Sequence, residues 1–197
     1  MSGRTAKSHP RPSSDRGLFV IKQLLFVILV IVGIVALAAL RRPDSFRVER
    51  SITINAPPAR IFPLVNDFQQ FGKWSPWEHL DPGMTRAIST PSAGTGASYA
   101  WSGNRKAGAG RMEIIESVPG SRVKATFTFL KPIPSQNTAE YTLVPSGSAT
   151  TVTFRMYGPS PFLSRVMQVF VSMDDLLGKD FEKGLAAMKV EAERPQT

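Results

Sequence analysis

The residues with the most evident chemical potential are Glu78, His79 and Asp81, two carboxylates and an imidazole that lie close together in the chain. Such groups can ligate zinc or transfer protons as general acids and bases. Their spacing matches no established ligand pattern, and the other histidine, His9, lies far away in the N-terminal tail. The spacing therefore favours a solvated turn, and we predict neither catalytic residues nor a metal site.

Cysteine-dependent chemistry is excluded because the chain contains no cysteine, and disulfides and thiolate metal ligands are excluded with it. No serine lies in a nucleophile elbow, the motif that would place a catalytic hydroxyl. Glycines recur over residues 103–110 beside two cationic side chains, but their spacing matches neither a phosphate-binding loop nor a dinucleotide fingerprint. We interpret this segment as a mobile hairpin turn, and we predict no cofactor.

Aromatic and methionine side chains recur at alternate positions in the middle of the chain and at helical spacing near its end. Large rings and flexible thioethers suit an adaptable apolar binding site, whose ligand would be a hydrophobic small molecule or lipid. The predicted cavity-lining residues are Tyr99, Trp101, Met112, Phe127, Phe129, Tyr141, Phe154, Met156, Met173, Leu177 and Phe181. The alternative is that the same side chains fill a solid core.

Two tryptophans, Trp74 and Trp77, flank Pro76 in a predicted loop. An indole ring combines an apolar surface with a hydrogen-bond donor, so it suits the mouth of a cavity or a lipid interface. It suits equally a position that caps the core. Both interpretations stay open, and the cavity mouth is our prediction for the two residues.

The elements that would position these side chains follow from periodicity. Alternation predicts a first strand over residues 46–54, in which Arg50 interrupts the apolar face. Short helices are predicted around residues 61–65, limited or kinked by Pro63, and over residues 68–73. Turn signals then separate six further strands of an antiparallel meander. These strands are predicted at residues 84–89, 97–102, 110–118, 122–130, 138–144 and 150–157.

The C-terminal segment repeats apolar residues every three or four positions from Met173 to Met188, with charged residues between them. This spacing predicts a long amphipathic helix, and residues 161–170 before it are also predicted to be helical. A sheet with one large apolar face must bury that face against another element. We therefore expect the last helix to cover the sheet in an α+β domain.

An apolar run without charged or polar side chains occupies residues 24–40, and residues 18–21 extend it beyond Lys22. Its length approaches the thickness of the hydrocarbon core, which predicts a single transmembrane helix over residues 18–40. A secretory signal cleaved near residues 36–38 is the alternative. Basic side chains on the two sides of the run are nearly balanced, and the short basic leader favours a domain on the external face.

The formal net charge is +9, of which residues 1–43 contribute +6 and residues 44–197 only +3. This distribution suits contact with anionic lipid headgroups, so we predict the membrane bilayer as a partner and no nucleic acid. Residues 1–17 lack apolar spacing and are rich in Ser, Pro and basic residues, which predicts a disordered tail.

The predicted order of strand, two short helices, six-stranded meander and long helix resembles that of START-related helix-grip proteins, the SRPBCC superfamily. Specific segments resemble members of the polyketide cyclase/dehydrase and lipid-transport type. They are the opening strand and helix start at residues 51–57, residues 67–77, residues 99–104 with 108–112, and the closing helix at residues 178–185. The resemblance covers about residues 46–193.

The resemblance implies a curved antiparallel sheet around the last helix, with an apolar cavity between them that serves lipids, sterols or polyketide intermediates across the superfamily. The predicted organisation is a tail (1–17), a transmembrane helix (18–40), a linker (41–45) and a helix-grip domain (46–193). The leading hypothesis is a membrane-anchored, non-enzymatic carrier of a hydrophobic molecule. The alternatives are a polyketide cyclase-like enzyme and a membrane-proximal protein interaction module. The oligomeric state stays open.

Overall fold

A computed structural model describes residues 14–195, with side chains from residue 18 onward. Most of the tail predicted to be disordered, residues 1–13, lies outside the described residues, and its last four residues belong to the first helix. The helices and strands follow in the order α1 (Ser14–Leu40), β1 (Ser45–Ile54), α2 (Pro58–Asn66), β2 (Thr85–Ile88), β3 (Ser98–Ser102), β4 (Ala109–Val118), β5 (Arg122–Lys131), β6 (Ser135–Ser146), β7 (Ala149–Pro159), α3 (Phe162–Gln168) and α4 (Met173–Glu193). Two 3-10 helices, Phe68–Lys73 and Pro76–His79, lie between α2 and β2.

The seven strands form one antiparallel sheet in the order β1-β7-β6-β5-β4-β3-β2. Each strand from β2 to β6 pairs with the next along the chain, and β1 pairs with β7. Alternate residues of β7 are buried, among them Val152, Phe154 and Met156, because successive side chains of a strand point to opposite faces. The predicted α+β helix-grip architecture is confirmed.

Strand β6 is longer than its sequence pattern predicts. It begins at Ser135, where alternation predicted a start at residue 138. The three additional residues are polar, and two of them pair with apolar residues of β5, Ser135 with Phe129 and Asn137 with Phe127. Backbone pairing with a neighbouring strand therefore extends β6 beyond the region that its own side chains mark.

Helix α4 begins at a capping box. The Ser172 hydroxyl accepts a hydrogen bond from the Asp175 amide at 3.0 Å, and the Asp175 carboxylate accepts one from the Ser172 amide at 3.3 Å. The apolar side of the helix buries Phe181, Leu185 and Met188 in the core. This helix covers the concave face of the sheet, as its spacing predicted.

Arg50, which interrupts the apolar face of β1, lies beneath this helix. Its guanidinium contacts Asp174 at 2.8 Å and Glu182 at 2.7 Å, two carboxylates that project from α4. These contacts raise the pKa of Arg50 above its usual range, chiefly through the hydrogen bonds to Asp174. The charged residue thus joins the first strand to the last helix.

Helix α1 is exposed along most of its length, and Gly17–Leu40 is long and apolar enough to cross a membrane. The helix is joined to β1 by only four residues, and the Ser160 amide donates a hydrogen bond to the Asp44 carbonyl at 2.6 Å. Since Ser45 pairs with Pro159, the end of β7 lies at the base of α1. Helix α3 follows directly and packs beside α1.

Candidate ligand cavity

A cavity of about 410 Å³ lies between the sheet and α4. Its walls come from the inner faces of β3, β4, β5 and β7, from the two 3-10 helices and from the second and third turns of α4. This volume falls within the range of small-molecule sites, about 300–1,000 Å³. The lining is mainly apolar, with aromatic rings on several sides.

Most of the residues predicted to line a cavity do so in the structure. Those that border it are Tyr99, Trp101, Met112, Phe127, Phe129, Phe154, Met156, Leu177 and Phe181. The structure places the other two elsewhere: Tyr141 is buried among aromatic rings and Met173 packs against the edge of the core. The cavity therefore occupies the half of the sheet that lies farther from α2.

The two tryptophans take different positions. Trp74 is buried in the core, where its indole N–H donates a hydrogen bond to the Leu64 carbonyl at 2.7 Å. Trp77 borders the cavity and packs edge-on against Phe154 and Phe181, with ring centroids 6.5 and 6.1 Å away. Trp74 thus lies away from the predicted cavity mouth, while Trp77 belongs to the cavity wall.

An aromatic stack closes the inner end of the cavity. The rings of Tyr141 and Phe154 are parallel with centroids 4.3 Å apart, and Phe181 of α4 lies 4.0 Å from Phe154 on centroids. Trp74 contacts Tyr141 edge-on at 6.0 Å. The same sheet face is therefore a solid core at one end and a cavity at the other.

Glu78 borders the cavity and is not the solvated turn residue that its sequence context favoured. Only 10% of its side chain is exposed. One carboxylate oxygen accepts a hydrogen bond from the Tyr99 hydroxyl at 2.5 Å, and the other accepts one from the Arg86 guanidinium at 2.7 Å. Arg86 also donates to the backbone carbonyl of Glu78 at 2.6 Å. Sequence reasoning missed this residue as part of the site.

The electrostatics of this cluster favour a neutral Tyr99 phenol beside the contact between Glu78 and Arg86. Arg86 supplies the positive charge that a poorly solvated carboxylate needs, and hydrogen bonding to Glu78 raises the pKa of Arg86. Burial, followed by the hydrogen bond to Glu78, raises the pKa of Tyr99 above its usual range. The cavity wall thus presents a neutral hydroxyl and a paired carboxylate within an apolar surface.

Asp81, another member of the predicted turn, organises the loop that closes one side of the cavity. Its carboxylate accepts hydrogen bonds from the amides of Gly83 at 2.9 Å and Asn104 at 2.6 Å. The Asn104 side chain in turn accepts from the Lys106 amide at 2.8 Å. The hairpin turn after β3, predicted from its glycines, is therefore fastened to the preceding loop, and His79 stays exposed.

Gly110 allows Trp101 to lie against the cavity wall. The two residues are paired across β3 and β4, and a Cβ at Gly110 would lie 2.5 Å from the indole ring and 2.6 Å from the Thr128 carbonyl oxygen. The indole N–H donates to the Ala107 carbonyl at 3.0 Å, which fixes the ring. A side chain at position 110 would displace it.

The exposed lining residues mark the mouth of the cavity. They are Leu80, Lys106, Lys131 and Pro132. Two of these four residues are cations, and the partly exposed carboxylate of Asp180 on α4 also borders the cavity. Across residues 14–195, the structure has no group of three His, Asp or Glu side chains arranged to hold a metal ion. The chemistry available at this site is apolar binding with a few polar contacts.

Comparison with known proteins gives a family and a set of similar folds. The sequence profile described as polyketide cyclase / dehydrase and lipid transport matches residues 45–193. No curated protein sequence matches the chain.

Solved structures with the same fold have low sequence identity. Protein CV1439 from Chromobacterium violaceum is 18% identical with a TM-score of 0.53, and the match covers 78% of this chain and 100% of that one. Protein MLL2253 from Mesorhizobium loti is 14% identical with a TM-score of 0.55, over 77% of this chain and 100% of that one. The di-domain ARO/CYC BexL from the BE-7585A biosynthetic pathway is 15% identical with a TM-score of 0.56, over 81% of this chain and 53% of BexL.

At these identities the structural matches establish a shared fold, and the profile establishes the family because the residues that it matches make up most of the chain. The curved antiparallel sheet, the closing α4 and the apolar cavity between them agree with that assignment. This chain belongs to the polyketide cyclase/dehydrase and lipid transport family.

Proposed function

We propose that this protein is a membrane-anchored binding or carrier protein for a hydrophobic small molecule or lipid. The observation that carries the proposal is the cavity of about 410 Å³, lined by aromatic and methionine side chains. A concave apolar site with a few polar groups is typical of ligand binding. An empty apolar space of this size inside a domain has a free-energy cost, which a bound ligand would offset.

In this proposal α1 is the membrane anchor. The chain is then organised as a tail at residues 1–17, a membrane span at 18–40, a linker at 41–45 and the domain at 46–193. The exposure of the apolar side chains of α1 supports a lipid environment, since a core helix of a soluble protein would be buried. We place the domain on the external face because the leader is short and basic. Tethering would hold the cavity where hydrophobic molecules partition.

The ligand expected from the lining is an apolar body with at least one polar group. Glu78 and Tyr99 provide a paired carboxylate and a hydroxyl on the wall, and a hydroxyl or amine of the ligand would bond to them. The two lysines at the mouth would favour an anionic end that stays near solvent. A purely aliphatic molecule would leave these groups without a new partner.

The test uses the full chain, purified from membranes in mild detergent, and compares native mass spectra and organic extracts of three forms. Leu177 borders the cavity, while the adjacent Leu176 is 48% exposed and does not border it. We expect one hydrophobic molecule per chain in the wild type and in Leu176→Trp. Leu177→Trp should lose it, because the larger ring occupies the cavity.

The control variant separates cavity filling from any general effect of a tryptophan on α4. If the wild type contained no hydrophobic molecule, or if both variants retained it equally, the binder proposal would be abandoned. Circular dichroism of each form would verify that the sheet is intact.

The second candidate is a polyketide cyclase-like enzyme, and the contact between Glu78 and Tyr99 on the cavity wall favours it. The Glu78 carboxylate would take a proton from a carbon next to one substrate carbonyl, and that carbon would form a bond to the carbon of a second carbonyl. The second carbonyl's oxygen would take up the proton, and the hydroxyl group so formed would leave with a hydrogen of the neighbouring carbon as water. The Tyr99 hydroxyl would release Glu78 and donate its one hydrogen bond to the substrate's carbonyl oxygen. The same extracts discriminate the candidates. An extract of the wild type that contained two molecules differing in mass by one water would support the enzyme, provided that the extract of Glu78→Gln contained only the heavier molecule.

A further inference from the structure

An exposed apolar surface lies on α3 and the turn that follows it. Phe162, Leu163, Met167, Phe170 and Val171 have 47, 62, 47, 71 and 43% of their surface exposed. No residue of α3 is buried. Scattered apolar side chains on a surface are ordinary, but five within ten residues form a continuous patch that water solvates poorly. We call these five residues the α3 patch.

The strand register places the α3 patch beside the base of the apolar helix. Ser45 of β1 pairs with Pro159 of β7, so the chain enters the domain from α1 and leaves the sheet towards α3 at the same point. The two helices pack together, and Ala39 in the last turn of α1 is fully buried. The patch therefore lies next to the end of the candidate membrane span.

We propose that the α3 patch lies in the bilayer interface and forms a second membrane contact of the domain. The inference rests on the proposed membrane anchoring by α1. If α1 spans the bilayer, its last turn lies at the headgroup level, and the neighbouring patch lies at the same depth. Burial of apolar side chains in the boundary between headgroups and acyl chains is favourable in the same way as burial in a core.

Charges around the patch suit a lipid surface better than a protein partner with a basic face. Arg41 and Arg42 follow α1 directly, and Arg165 lies within α3. The Arg165 guanidinium lies 5.9 Å from the centroid of the Phe162 ring. Such basic residues beside an apolar surface attract anionic headgroups. The proposed occupant of the surface is therefore a bilayer that contains anionic lipid.

A membrane contact at this position would bring the cavity close to lipid. Ser172 caps α4 immediately after Val171, and Leu177 of the second turn borders the cavity. The helical stretch from Met173, the first residue of α4, to Leu177 spans only about 6 Å along the helix axis. A hydrophobic ligand would then have a short path between the acyl chains and the α4 wall of the cavity.

The experiment uses the full chain in liposomes of phosphatidylcholine and phosphatidylglycerol. Because the chain has no cysteine, single cysteines can carry an environment-sensitive NBD label without further changes. The reporter is Phe170→Cys in the patch. Leu29→Cys near the middle of α1 reports membrane insertion, and Val144→Cys, 59% exposed, reports solvent. Val144 pairs with Thr151, at the end of β7 away from Pro159.

Nitroxide lipids with the quencher at shallow or deep positions measure the depth of each label. We expect the label at Phe170 to be quenched most by shallow nitroxides and the label at Leu29 most by deep ones. The label at Val144 should be quenched by neither. This order follows from an interfacial depth of about 5–10 Å for the patch.

The two proposals fail differently. If the label at Leu29 were not quenched, α1 would not be inserted and the proposed anchoring would fall, together with this inference. Quenching at Leu29 without quenching at Phe170 would overturn this inference alone. A blue-shifted but unquenched label at Phe170 would also overturn it, and would indicate a protein partner on the patch.

Discussion

Two tyrosines of the inner sheet face have opposite polar surroundings. The Tyr99 hydroxyl donates to Glu78 at 2.5 Å. The Tyr141 hydroxyl is buried, and it makes no hydrogen bond with any group in the described part of the chain. Burial alone raises the pKa of Tyr141. A buried hydroxyl without a partner destabilises a fold, whereas one that bonds to a carboxylate stabilises it.

We therefore expect Tyr141→Phe to raise the free energy of unfolding by about 1 kcal/mol or more, and Tyr99→Phe to lower it by about 1–3 kcal/mol. The two substitutions remove the same atom from the same face of the sheet, so each is the control for the other. Urea unfolding of the full chain in detergent, followed by tryptophan fluorescence, measures both. A loss of stability in Tyr141→Phe would contradict the inference that the Tyr141 hydroxyl is buried without a hydrogen bond.

Residue alternation predicted the aromatic and methionine residues that β3, β4, β5 and β7 contribute to the cavity wall, because a side chain's face on a strand depends only on its position in the repeat. The same reasoning could not find Glu78. Its partners, Arg86 and Tyr99, lie on β2 and β3, and the chain between them carries no local signal of the contact. Trp74 and Trp77 were indistinguishable for a similar reason. Their orientations depend on the 3-10 helices around them, which have no apolar repeat.

At the scale of elements, the contact between β1 and α4 depends on a glycine. A Cβ at Gly178 would overlap the Arg50 guanidinium, which contacts Asp174 and Glu182 from beneath the helix. Glycine inside a helix is unfavourable by up to about 1 kcal/mol relative to alanine. Its presence in α4 is therefore explained by the space that the arginine requires. In the sequence, Arg50 is an unexpected charge on the apolar face of β1 and Gly178 is an unexpected glycine inside α4. The structure explains both, because the arginine side chain lies against the glycine.

For this pair we predict that the effect of Gly178→Ala on the free energy of unfolding changes sign when Arg50 is removed. Gly178→Ala should destabilise the wild-type protein, because the Arg50 guanidinium must leave its two carboxylates to make room for the methyl group. In an Arg50→Ala background the same substitution should stabilise by up to about 1 kcal/mol, since only the helix preference remains. Thermal unfolding of the wild type, the two single variants and the double variant measures the coupling free energy between the two positions. Equal effects in both backgrounds would exclude the proposed packing.

At the scale of the whole molecule, carboxylates join elements that are distant in sequence. Glu49 of β1 contacts Arg155 of β7 at 2.7 Å, and Glu193 at the end of α4 accepts a hydrogen bond from the Asn55 amide at 2.6 Å. The hydrogen bond from Arg155 lowers the pKa of Glu49, and the backbone hydrogen bond from Asn55 lowers that of Glu193. Each carboxylate therefore stabilises the fold only while it is ionised.

The pKa directions predict how stability depends on pH. A carboxyl group whose pKa is lower in the folded than in the unfolded protein contributes stability at neutral pH, and this contribution is lost as pH falls through the unfolded value and then the folded one. We expect the Tm of the full chain to change little between about pH 8 and 6 and to fall below about pH 5. Because all three tryptophans lie in the domain, their fluorescence follows its unfolding separately from α1. Glu49→Gln should lower the Tm at neutral pH and make the fall of the Tm below about pH 5 less steep. If the fall were as steep in that variant as in the wild type, the contact of Glu49 with Arg155 would not be the cause of the pH dependence.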